Sequence, residues 1–271
     1  MTLTGSGSAY DPPAGATPRD PGAPVPARTR VYGPERRLDR PVALVTGASS
    51  DVGAATARRF ALDGWQLLLS GHDRYRLERT AAGTSAVVLP ADLAAPDGPR
   101  LLARSALHRT GRIDALVAGA GIGWAGPFAA MPHTDIDRVL TLNLNATLHL
   151  VREVLPTMIA AGRGRVVLLD ALQRPGDLRQ EAVYAAAKAG LAAFAEALRE
   201  ELRGTGVGVT RVAPGPADGS HAGLPSPGHV AGTIFDAVRR HEDEAYLRPP
   251  PGTRTGEPGP GLLRRLRDRL G

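Results

Sequence analysis

The sequence predicts an α/β fold, a single doubly wound parallel sheet with helices on both faces. Short apolar runs suited to buried strands alternate with helical stretches from Pro41 onward. A turn of small residues, Gly47 to Gly53, joins the first strand to the first helix. Strands separated by helices need crossover connections, which make the sheet parallel and cover it on both sides.

The first strand is Val42-Ala43-Leu44-Val45-Thr46, and a helix is expected from Ala54 to Asp63, ended by Gly64 where a left-handed cap is usual. Strands then follow at 66–70, 85–90 and 113–118, separated by helices at 74–80 and 98–109. A long helix is expected over 135–161 with Pro156 late in it, then a strand at 165–170, a helix at 181–203 and a strand at 206–212. Past a Gly/Pro/Ser-rich stretch to Pro227, a helix over 229–240 precedes a short strand at 244–247. Three segments result. Residues 1–40, rich in Gly, Pro, Ser and Arg, read as a disordered extension. Residues 41–248 form the folded domain, and 249–271 a basic tail with leucines at helical spacing from Leu262 to Leu270.

Composition removes several classes of function. The chain has 271 residues and no cysteine, which excludes disulfides, thiolate metal sites and cysteine nucleophiles and suits a reducing cytoplasm. No metal site is expected. No apolar run reaches the roughly 18 residues that span a bilayer. The net charge of +6 is mostly arginine, spread over both tails and many helix faces with few aromatics, so no nucleic-acid partner is expected.

The chemistry starts at Thr46-Gly47-Ala48-Ser49-Ser50-Asp51-Val52-Gly53. Small residues between a strand and a helix let the backbone turn sharply and approach a pyrophosphate, whose charge meets free N–H groups at the helix N-terminus. Gly47, Ser49, Ser50, Asp51, Val52 and Gly53 are therefore the candidate phosphate-binding residues of a Rossmann-type fold. Asp51 tolerates a positive φ better than most residues and would cap the helix, although its carboxylate opposes a pyrophosphate.

This turn resembles the TGxxxGxG signature of the short-chain dehydrogenase/reductase family, with Asp51 in place of the middle glycine. The resemblance extends over residues 41–216. It implies that Asp92, followed by Leu93, meets the adenine ring. It also sets Ala118-Gly119-Ala120-Gly121 in place of an Asn-Asn-Ala-Gly segment, so that Ala120 and Gly121 fit while two asparagines that brace the sheet are lost. Pro214 and Gly215 match a Pro-Gly turn beside the nicotinamide. Gly71 stands where an acidic residue would hold the ribose of NAD. With no carboxylate there, and with His72 and Arg74 able to pair with a 2′-phosphate, NADP(H) is favoured over NAD(H); Asp73 is the residue that fits this least.

Tyr184 and Lys188 match the family's Tyr-x-x-x-Lys motif. Residues four apart share a helix face, so the ammonium would lie beneath the phenol, lower its pKa from about 10 and let it exchange a proton with a carbonyl or alcohol oxygen. The resemblance makes Lys188 a holder of the nicotinamide ribose as well, and Asn143 the helix asparagine of the proton relay, with Asn145 as its near neighbour. The family's serine, thirteen residues before the tyrosine, is Ala171, a loss worth about 10²–10³ in rate. Gln173, two residues on, would partly replace it, whereas Asp170 would donate only if protonated. The helix from Ala182 to Leu198 is apolar nearly all round, so it needs cover beyond the sheet, either within the chain or from outside it; the resemblance implies a second subunit, in a homodimer or homotetramer. The expected activity is hydride transfer between nicotinamide and a small-molecule carbonyl or alcohol. The alternative is a dinucleotide-binding relative that has lost catalysis and acts as a sensor or scaffold.

Overall fold

The computed structural model describes residues 40–170, 181–214 and 225–247. The leader 1–39, Ala171, Gln173, Gly215 and the tail 249–271 lie outside the described residues. In chain order the elements are β1 (Val42–Thr46), α1 (Asp51–Leu62), β2 (Gln66–Gly71), α2 (Arg74–Ala81), β3 (Val87–Pro90), α3 (Gly98–Thr110), β4 (Ala115–Ala118), α4 (His133–Leu140), α5 (Ala146–Ala160), β5 (Gly164–Leu169), α6 (Ala182–Glu201), β6 (Val207–Pro214), α7 (Pro227–Arg240) and β7 (Glu244–Leu247).

The strands form one sheet in the order β3-β2-β1-β4-β5-β6-β7, every pair parallel. The chain builds outward from β1 in one direction and then, from β4, in the other. The reversal leaves a crevice beyond the carboxyl ends of β1 and β4, where ligands of such sheets bind. All five residues of β1 are buried. Val42 and Leu44 join a core with α3, α5 and α6, while Ala43 and Val45 join one with α1 and α7 on the opposite face. Burial on both faces explains why this strand reads as a continuous apolar run rather than an alternation.

Helix starts are set by side-chain caps. Ser50 caps α1, accepting from the Gly53 N–H at 3.1 Å, and Ser226 caps α7 through the His229 N–H. Helix α1 thus begins three residues earlier than expected. Ser50, not Asp51, is the cap, and among the described non-glycine residues only His241 has a positive φ. Asp51 instead occupies the first helical turn, where a carboxylate is favoured by the helix dipole. Gly64 takes the expected left-handed conformation, with φ of +81°.

The long helix expected over 135–161 is not continuous. A π-helical turn, Thr141–Asn145, separates α4 from α5. Asn143 lies in this turn, and its side chain donates to the Val139 carbonyl one turn back at 2.9 Å. Such turns mark places where local hydrogen bonding is exchanged for positioning. β3 and β4 each start two residues later than expected. Among the described residues no helix is long and apolar enough to cross a membrane.

Candidate active site

The β1–α1 turn is closed by glycines at two points. Gly47 has φ of +68°, and a Cβ there would lie 2.6 Å from the Gly119 carbonyl oxygen. A Cβ on Gly53 would overlap the Gly47 carbonyl. Ser50 completes the loop by donating from Oγ to the Gly47 carbonyl at 2.8 Å. The Asp51 side chain is 87% exposed and faces the Arg76 guanidinium at 3.9 Å, so water and a loose ion pair weaken its opposition to a phosphate.

Thr46 supplies ties where the two asparagines are absent. Its hydroxyl accepts from the Gly119 N–H at 3.1 Å and the Ala120 N–H at 3.3 Å, and donates to the Val117 carbonyl at 3.4 Å. One buried hydroxyl therefore joins β1 to the end of β4. Thr46→Val keeps the shape and removes these bonds. The expected result is a loss of about 1–3 kcal/mol in stability, read from denaturant midpoints.

At the other end of the crevice, Gly71 closes β2 with the Ser49 Oγ 2.8 Å from where a Cβ would stand. An acidic side chain at this point would displace Ser49. Asp73 is engaged as the cap of α2, accepting from the Arg76 N–H at 3.0 Å. Arg74 pairs with Glu78 on its own helix at 3.5 Å, and His72 is exposed. Asp92 is exposed and accepts from the Ala94 N–H at 2.9 Å, and Leu93 is buried beside it.

Tyr184 and Lys188 lie in the first turns of α6, with Nζ 5.5 Å from the phenol ring centroid. Lys188 is buried and donates to the Leu169 carbonyl at 2.8 Å, at the end of β5. Burial pushes its pKa down to about 8, opposed in part by the charge of Asp170. The Tyr184 phenol is pushed up, first by burial and then by the carboxylates of Glu181 and Asp170. This reverses the expected lowering, because burial outweighs the rest, two carboxylates add to it, and the ammonium is turned to a backbone carbonyl. The phenol is therefore protonated at neutral pH. Asp170 accepts from Arg211 at 2.8 Å.

Asn143 is buried. Its Nδ2 donates to the Ile122 carbonyl at 2.7 Å, fixing the segment after β4 against the π-helical turn. Its Oδ1 has no partner among the described residues and overlaps the space a Cβ on Gly121 would fill. Asn145 is exposed and does not line the site.

Ser50, Val52, Gly53, Gly121, Asn143, Tyr184 and Lys188 line one cleft with a volume near 290 Å³. Gly47, Ala120, Ser49, Asp51, His72, Arg74, Asp92 and Leu93 do not line it, and Pro214 ends β6 beside Leu247. Ile122, Gly123, Leu169 and Glu181 line it as well and were not singled out from the sequence. Only Glu181, three residues before the tyrosine, carried a readable signal there.

The model of the short chain dehydrogenase family matches residues 41–223. The chain belongs to this family. Its short-chain dehydrogenase domain is 31% identical over 227 residues to the ketoacyl reductase HetN of Nostoc, covering 78% of this chain and 79% of that one. It is 30% identical over 181 residues to an acetoacetyl-CoA reductase of Allochromatium vinosum, covering 64% of this chain and 74% of that one. Among solved structures, a metagenomic short-chain oxidoreductase in complex with NADP superimposes with a TM-score of 0.69 at 33% identity, covering 78% of this chain and 97% of that one. As a short-chain dehydrogenase, the protein is an oxidoreductase of a family that binds a nicotinamide dinucleotide.

Proposed function

We propose that the protein is an NADP(H)-linked carbonyl reductase or alcohol dehydrogenase with Tyr184 as its general acid and base. The observation that carries this reading is the convergence of the closed glycine turn with Tyr184 and Lys188 in one cleft. The residues present fit a dinucleotide. Gly47 and Gly53 let the turn pack against Gly119 and against itself more closely than any side chain allows, and the Asn143 Oδ1 is a buried acceptor without a partner among the described residues. Ser50, Val52 and Gly53 would hold the pyrophosphate and Lys188 the nicotinamide ribose.

NADP(H) held there supplies or accepts the hydride. Tyr184 gives its proton to the carbonyl oxygen during reduction and takes it from the alcohol during oxidation. A phenol that stays protonated at neutral pH suits the reductive direction. Lys188 lies beneath the ring and steadies the phenolate that remains after proton transfer. Asn143, through Ile122, keeps the segment after β4 against the cleft.

The absence of a carboxylate at Gly71, and the relative solved with NADP, support NADP(H) over NAD(H). His72 and Arg74 remain the groups proposed for the 2′-phosphate, Arg74 exchanging Glu78 for it. Carbonyl substrates are supported by the reductase names of the relatives. The homodimer or homotetramer is supported by a stripe of exposed alanines on α6, at Ala182, Ala186, Ala189, Ala193 and Ala197, which permits close approach of a second helix.

The test is turnover by the purified chain with NADPH or NADH against ketones and aldehydes, followed by loss of reduced nicotinamide. Oxidation of NADPH well above that of NADH is expected. Cofactor binding without turnover on any member of a broad panel would refute hydride transfer, and equal rates would refute the cofactor preference.

A further inference from the structure

A chain of four alternating charges reaches the cleft from the edge of the sheet. Arg199 of α6 donates to Glu244 of β7 at 2.7 Å and to the Val209 carbonyl at 2.9 Å. Glu244 receives Arg211 of β6 on both carboxylate oxygens, at 3.0 Å from Nε and 2.9 Å from Nη2. The remaining arm of Arg211 reaches Asp170 Oδ2 at 2.8 Å. Asp170 follows β5 and lines the cleft beside Tyr184 and Lys188.

Strand alternation explains the reach. Arg211 pairs in register with Leu168. Leu168 and Val209 both lie in the core facing α6, so Asp170 and Arg211, each two residues on, share that face. The side chains of Arg211 and Asp170 are only 21% and 15% exposed, so little water intervenes. A guanidinium that meets one carboxylate in a bidentate fork is fixed in direction, and its free arm is then aimed. Nothing in hydride transfer itself calls for an arginine in β6.

We propose that Arg211 is a positioning residue for the reacting pair: braced by Glu244, it holds the Asp170 carboxylate against the wall of the cleft that Tyr184 and Lys188 share. Among the described residues, the ionisable groups facing this pair are Glu181 from the start of α6 and Asp170 from the end of β5, with Arg211 behind Asp170. Asp170 acts on both members, raising the phenol and partly restoring the ammonium. Arg211 touches neither and works through the carboxylate it holds. The catalytic role of the pair rests on the function proposed above, but the placement of Asp170 does not, and it can be tested without a substrate.

The test is the ionisation of Tyr184, followed by carbon NMR of ring-labelled tyrosine, with the Tyr184→Phe spectrum identifying its resonance among the five tyrosines. Asp170→Asn is expected to lower the phenol pKa by about one unit, the scale of one nearby charge. Arg211→Gln removes the arm that aims the carboxylate and should lower the phenol in the same direction but by less, since the lost guanidinium charge opposes the fall, and the double variant should go no lower than Asp170→Asn alone. Arg211→Lys, which keeps the charge and the fold without the fork, should restore part of the shift and stands in for Arg211→Gln if that protein fails to fold. In an active enzyme the alkaline limb of the reductive pH profile should follow the phenol to lower pH. A phenol that does not move, or rises, in Arg211→Gln overturns the proposal, as does a shift of equal size in the Asp170→Asn background. Absence of turnover with these NMR shifts intact would count against the proposed reaction and leave the positioning role standing.

Discussion

Tyr184→Phe is expected to lower kcat for carbonyl reduction by about 10³-fold, the scale of a lost general acid. Affinity for NADPH should stay within a few-fold. The substitution removes one oxygen and keeps the ring. The ring packs against a small core of Met131, Val139 and Val183, and its face toward Lys188 is unchanged. The lost rate therefore reports proton transfer and not a collapsed site. Stopped-flow rates at saturating NADPH, with cofactor binding measured by fluorescence, separate the two. A phenylalanine variant that turns over as fast as the parent would remove Tyr184 from the chemistry.

Lys188→Met is expected to cripple turnover and to stabilise the protein at neutral pH. In the unfolded chain the ammonium titrates near 10.4, whereas burial brings it to about 8 in the folded protein. Below pH 8 both states carry the charge, and its burial subtracts on the order of 3 kcal/mol from stability. Between the two values the folded protein releases the proton first, so the penalty fades as pH rises and is gone above about 10.4. Loss of the bond to the Leu169 carbonyl gives back about 1 kcal/mol. The net gain at pH 7, about 2 kcal/mol by the same constants, should appear as a higher Tm that converges on the parent's toward pH 10. A methionine variant that melts lower than the parent at pH 7 would mean that the bond to Leu169 outweighs the buried charge. Such a gain paired with lost activity is the usual trade at a site built for function.

The fold was legible because its strongest signals are local. Val42 to Thr46, the glycine turn and the alternation after it needed only apolar runs and small residues to be read. The four-residue spacing of Tyr184 and Lys188 likewise put both on one helix face without knowledge of the rest. What escaped depends on contacts across the sheet. Thr46 reads as the last residue of a strand, yet its hydroxyl serves backbone groups more than seventy positions away. Asn143 reads as a helix residue, but it opens the helix because the Ile122 carbonyl lies close enough to claim its amide. The direction of the Tyr184 shift depends on its burial, on Glu181 and Asp170 and on where the lysine points, and spacing alone reveals none of these. Arg211 is one arginine among many until the register of β5 and β6 brings it opposite Leu168.

The π-helical turn at Thr141–Asn145 also limits how this chain can change in length. Its wider coil holds one residue more than the same span of ordinary helix. Deleting one residue there would let the coil tighten to ordinary helix and leave Leu150, Val151, Val154 and Met158 on the sheet they cover, at the cost of the opening that seats Asn143. A deletion in the regular helix that follows has no such slack and would turn every later residue about the axis by about 100°. The slack of one residue therefore lies at the site and nowhere else along α5.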